Sequence, residues 1–152
     1  MAKKTVRWKK GRGKLGLLAP LLGSWTATAR LPAGYGEVQC TRSFSPVLNG
    51  TCVQLRAEWK FTKGVYEEIA FIGAHDGRIS FWSFTSDGRR SQGVLSDGSD
   101  VHPEAIAFEA QMPAGLARMI YWPGEEGGLN WAVESKTKKG WNRFTEHHYK
   151  PA

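Results

Sequence analysis

The chain has 152 residues, a formal charge of +7, eighteen aromatic Trp, Phe and Tyr side chains, 18 Gly and 7 Pro. That length suits one domain with a sizeable core, the aromatic rings supply large buried area, and the Gly and Pro content fits frequent turns. The charge does not describe a basic body: seven of the 21 Lys and Arg fall in the first 14 residues, and the other 14 are matched by 14 Asp and Glu.

Residues 1–14 read as a basic arm whose only sizeable apolar groups are Val6 and Trp8, leaving 15–152 as the folded domain. Such a run is ordinarily a solvated tail; its functional reading is weak contact with nucleic acid or anionic headgroups. Leu15-Gly16-Leu17-Leu18-Ala19-Pro20-Leu21-Leu22 predicts a short capping helix, with Pro20 near a helix start or break. A basic start before an apolar run imitates a secretion signal, but this run is short, carries two helix breakers and lacks a small-x-small site before Trp25. No stretch approaches the roughly 20 apolar residues of a membrane-spanning helix.

Strands are predicted over 24–31, 35–44 and 51–61. In the third, Val53, Leu55, Ala57, Trp59 and Phe61 share one face while Cys52, Gln54, Arg56, Glu58 and Lys60 share the other, the mark of a strand with one buried side. Asn49-Gly50 is read as the hairpin turn before it, in preference to a glycosylation acceptor. That turn sets Cys40 opposite Ala57 or Glu58 rather than Cys52, so no disulfide is expected, and two free thiols fit a reducing, cytoplasmic compartment. Lys63-Gly64, Asp76-Gly77 and Asp87-Gly88 then punctuate strands at 65–73, 78–85 and 89–95, since glycine accepts positive φ without steric cost. After a polar connection at 97–103, strands resume at 104–112, 116–122, 129–135 and 141–149.

About ten short strands at hairpin spacing, with no helical period between them, predict an all-β chain: a single antiparallel up-and-down barrel, closed because closure removes exposed edges. The entry Leu21-Leu22-Gly23-Ser24-Trp25, with its Gly-x-Trp pattern, resembles that of the lipocalin-like (calycin) barrels. The middle segment Phe71-Ile72-Gly73-Ala74-His75-Asp76-Gly77-Arg78, with Phe81-Trp82-Ser83-Phe84, is similar to bacterial lipocalin-like proteins of unassigned function; nitrobindin, a ten-stranded heme-binding barrel, is a more distant likeness. The resemblance implies that Gly23 and Trp25 close one end of the barrel, and that Arg143, in the last strand, stacks against Trp25.

An interior lined by Val53, Leu55, Trp59, Ile106, Phe108, Trp131, Val133 and Phe144 describes either a cavity for a small apolar molecule or a packed core. His147 and His148 are adjacent in a strand, so one of them faces inward whatever the register. Shared parity with Phe144 favours His148, which would make it the axial ligand if the nitrobindin likeness extended to heme. Against heme, anchoring on Tyr149-Lys150 puts Phe144 nearer the expected ligand position. The alternative is a ligand-free structural or interaction domain. No enzyme, cofactor or metal motif stands out: Glu67 and Glu68 point apart, Asp97 and Asp100 lack the closing Glu of a calcium loop, and His75 and His102 have no evident nucleophile partner.

Overall fold

Alternation decides which way each strand faces. Val53, Leu55 and Ala57 are buried while Arg56 between them is exposed, and every neighbouring strand inherits that facing through antiparallel pairing. The computed structural model describes residues 8–31, 34 and 36–152. It contains β1 (Gly23–Arg30), β2 (Glu37–Val47), β3 (Cys52–Phe61), β4 (Gly64–His75), β5 (Arg78–Thr85), β6 (Arg90–Ser96), β7 (Ile106–Met112), β8 (Gly115–Pro123), β9 (Leu129–Thr137) and β10 (Gly140–Pro151). These form a closed antiparallel barrel in which each strand pairs with its sequence neighbours and β1 meets β10. Tyr35, the expected first residue of the second strand, lies outside the described residues.

The turns account for the register. Asp76 and Gly77 link β4 to β5 with φ of 50° and 76°, the two positive values a type I′ hairpin demands. Between β2 and β3 the loop is longer, with Leu48 to Thr51 all outside the ladder and Val47 paired with Cys52. Cys40 therefore faces Trp59 rather than Ala57 or Glu58, and both cysteines are free. In β4 and β5, Tyr66, Glu68, Ala70 and Ile72 point inward beside Trp59, Ala57, Leu55 and Val53, as do Phe81, Ser83 and Thr85 opposite them. The apolar residues of the other parity, Ile69, Phe71, Trp82 and Phe84, pair across the outer face.

One end of the barrel is plugged. The short helix is a 3-10 helix, Gly16–Leu21, with Leu18 and Leu21 fully buried. Trp25 is buried above it and donates its indole N–H to the Leu21 carbonyl at 2.8 Å. Gly23 enters β1 at φ 120°, a backbone value that favours glycine. The packing reaches back into the segment expected to be an arm. Trp8 is half-buried against the core, its backbone N–H bonds the Glu104 carboxylate at 2.7 Å, and Gly11 N–H bonds the Gly16 carbonyl at 2.8 Å. The rest of the arm, 1–7, lies outside the described residues.

Arg143 is not at the plug. The β10 residue beside Trp25 is Pro151, eight residues further on and about 26 Å along the strand. Arg143 instead lies on the outer wall, bonded to Glu134 at 2.9 Å and to Glu146, with its guanidinium 4.8 Å from the Trp122 ring. Glu134 also holds Arg118, which forks onto Asp100 at 2.9 and 2.6 Å and so pins the 97–105 connection to the barrel. Among the described residues, no helix is long and apolar enough to cross a membrane.

Candidate ligand site at the open end

The site begins at an incomplete seam. β1 and β2 pair over eight positions, but β1 and β10 pair only at Trp25↔Pro151 and Thr26↔Lys150, with Ala152 N–H on the Ser24 carbonyl below. Continued upward, the same ladder would join Thr28 to His148, Ala29 to His147, Arg30 to Glu146 and Leu31 to Thr145. All eight of these residues instead line a cleft of about 600 Å³. The barrel wall thus parts above Thr26, and the parting is the cleft.

A β-bulge places β10 for this. Arg143 pairs with Glu134 and Thr145 with Val133, so Phe144 is the extra residue between them. The insertion reverses parity along β10, and shared parity with Phe144 no longer indicates the inward histidine. His147 is the one that turns in, 7% exposed, against Trp131 at 4.8 Å between ring centroids. His148 points outward, its side chain 67% exposed, and bonds Asn130 at 2.7 Å and Glu146 at 2.9 Å.

Of the residues expected to line a cavity, Trp59, Trp131 and Phe144 do so in the large cleft, Phe144 as an exposed ring at its rim. A second cleft of about 370 Å³ shares Trp59, Tyr66, Trp131 and Phe144 and adds Phe108 and Val133. These four shared aromatic side chains separate the two openings, with Trp59 packed on Tyr66 at 5.0 Å and on Trp131 at 6.3 Å. Val53, Leu55 and Ile106 belong to the packed lower interior instead: all three are buried, and Val53 and Ile106 border grooves beside the basal 3-10 helix.

Between packed floor and open mouth lies a polar layer that the apolar pattern did not announce. Arg42 is wholly buried, its guanidinium 4.4 Å from the Trp131 ring, 5.7 Å from Tyr121 and 5.9 Å from Trp59. Its Nη2 reaches Glu68 at 3.5 Å and Met119 Sδ at 3.8 Å, while Glu68 accepts a second bond from Ser83. Burial works against the Arg42 charge, but the hydroxyls of Tyr121 and Tyr149 and the Glu68 carboxylate outweigh it, so its pKa is raised. Tyr121 is pushed up to about 12 by burial, and burial raises Cys40 to about 11. His147 bonds Tyr149 Oη through Nδ1 at 3.0 Å, and burial, reinforced by the positive charge of Arg42, lowers its pKa to about 4. At neutral pH the layer therefore holds a charged Arg42, neutral phenols and thiol, and a neutral imidazole. Arg42 was legible in principle: Val38, Cys40, Arg42 and Phe44 share one strand parity, and an arginine among three apolar inward positions is itself a mark.

Among the described residues no group of three or more His, Cys, Asp or Glu is placed to hold a metal ion. No protein-family model and no curated protein matches the chain. The closed ten-stranded antiparallel barrel accords with a lipocalin-like fold.

Proposed function

We propose that the protein binds a small, largely apolar or aromatic molecule at the open end of the barrel, as a carrier or sensor rather than a catalyst. The observation that carries this is the convergence of two clefts, about 600 and 370 Å³, on the same four aromatic side chains. Sites for small molecules are concave, mostly apolar and furnished with a few polar groups, which is the composition here. The likeness to bacterial lipocalin-like proteins supports the same reading, as do the two unpaired thiols for a reducing compartment. Binding without turnover is supported by two groups of the polar layer. The Cys40 thiol is buried and held protonated, and His147 bonds a tyrosine rather than a serine or cysteine. Native mass spectrometry of gently purified protein tests the proposal: a reproducible small-molecule adduct, lost in Trp59→Ala, is the expected result. Absence of any adduct or dye uptake would favour a ligand-free interaction domain.

A second reading is heme binding, and one observation favours it: an inward, neutral imidazole, His147, borders the larger cleft. A neutral histidine offers a lone pair to iron. Added hemin should then give a Soret band that His147→Ala abolishes and His148→Ala leaves intact. Equal small losses from both variants would mark surface adsorption.

A further inference from the structure

We infer that the ligand of the open end carries an anionic group, a carboxylate or sulfonate, that is received by Arg42 and by the indole N–H of Trp131. This rests on the ligand-binding reading above and adds the ligand's charge. Three buried donors, Arg42 Nε, Arg42 Nη1 and Trp131 Nε1, have no acceptor in good hydrogen-bond geometry, although the Tyr121 and Tyr149 hydroxyls lie close enough to the guanidinium to favour its charge. The rings around the guanidinium do not answer this need. The rings lie 4.4, 5.7 and 5.9 Å from the guanidinium carbon, and a ring face offers no lone pair to an N–H bond. An unfilled buried donor is costly, and a charged one more so, so a cluster of three calls for an acceptor. Glu68 fills only part of it, reaching Nη2 at 3.5 Å while Ser83 engages its other oxygen.

The position of the cluster joins it to the clefts. Trp131 and Trp59 line both openings and cover Arg42 from above, so the guanidinium lies one ring thickness beneath the cleft floor. Rotation of the Trp131 ring exposes both the Arg42 fork and the indole N–H to a ligand already seated among the aromatic rings. A planar guanidinium suits a two-oxygen anion better than a point cation would. The rim agrees in sign: Arg30 borders the larger cleft, and Arg89 and Arg90 border the smaller. The rim carboxylate of Glu146 is already held by Arg143 and His148. Such a rim draws anions toward the opening.

Two dyes that share an aromatic body test the inference: 1-anilinonaphthalene-8-sulfonate and the uncharged N-phenyl-1-naphthylamine, titrated by fluorescence. Wild-type protein should bind the sulfonate about tenfold tighter or more, the return expected from one charge-assisted hydrogen bond. Arg42→Met should erase that difference, the sulfonate losing its advantage over the neutral dye, with near-ultraviolet circular dichroism confirming the fold. Glu68→Gln, which removes the competing carboxylate, should tighten the sulfonate severalfold and not the neutral dye, and it carries the test if Arg42→Met does not fold. Equal affinity for the two dyes in wild type, a preference that survives in folded Arg42→Met, or a Glu68→Gln variant indifferent to charge would each overturn the inference while leaving the binding site in place. Binding of neither dye would overturn the site and the inference together.

Discussion

His147 should make the barrel acid-sensitive in a window set by its own titration. Its folded pKa is about 4 against an ordinary value of 6.5, so between those pH values the unfolded chain binds the proton and the folded chain does not. Stability is therefore fully present above 6.5 and falls as the pH drops towards 4. The 2.5-unit separation corresponds to about 3 kcal/mol in total, of which about 2 kcal/mol should be gone by pH 5. The groups facing the imidazole explain the size. Burial comes first, with Trp131 of β9 covering one side of the ring and Tyr149 bonded to Nδ1; the charge of Arg42 on β2 adds to it, as does neighbouring His148. None of these offers a carboxylate to stabilise the imidazolium. Urea unfolding at pH 7 and pH 5, comparing wild type with His147→Gln, measures the difference as a shift in midpoint at constant slope. Carboxylates such as Asp100 and Glu146, held low by Arg118 and Arg143, contribute equally to both proteins and drop out. Parallel loss of stability in the two proteins would refute the argument.

Three further substitutions probe the frame. Trp25→Ala removes the buried ring that plugs the base and should cost about 3–5 kcal/mol in denaturant unfolding. Gly93→Ala should cost about 3 kcal/mol or more, because a Cβ there would collide with the Phe81 ring and the Glu109 carbonyl, and a backbone atom cannot yield as a side chain does; unchanged stability would mean the two strands are not so closely packed. Trp8→Ala should cost about 1–2 kcal/mol, the share of a half-buried ring, whereas a tail free in solvent would leave the unfolding midpoint where it was.

The architecture was legible because it rests on local rules. Asp76-Gly77 and the alternation of 53–61 each specify a hairpin or a facing without reference to the rest of the chain, and all ten strands were found within a few residues of their ends. Facing failed where two parities were equally apolar. Ile69, Phe71, Trp82 and Phe84 cover the outer wall of β4 and β5, and only pairing with β3 decides that Tyr66 and Glu68 point in. The short loop at Asn49-Gly50 misled the register because Leu48 and Thr51 also left the ladder. Arg143 was placed by analogy with an arginine over Trp25, yet that strand passes the plug only at Pro151.

The bulge at Phe144 is the clearest limit of strand-parity reasoning, and it also shows how the site is made. Period two predicts facing only while every residue has a partner; one unpaired residue inverts everything after it. Because Phe144 is that residue, His147 rather than His148 enters the interior, and the aromatic ring of Phe144 is left at the rim shared by both clefts. The parting of β1 from β10 above Thr26 leaves that edge open, because the ladder that closes the barrel stops at Thr26↔Lys150. At the other end, Trp25 and the 3-10 helix fill the barrel with apolar side chains. The polar layer of Arg42, Glu68 and His147 lies between these two ends, with Arg42 wholly buried and Glu68 and His147 bordering the clefts. Arg42 Nη2 is engaged while Nε and Nη1 have no acceptor in good geometry, and apolar replacement of such buried charges is often neutral or favourable. The charge beneath the aromatic floor is thus the feature on which the proposed anion site stands or falls.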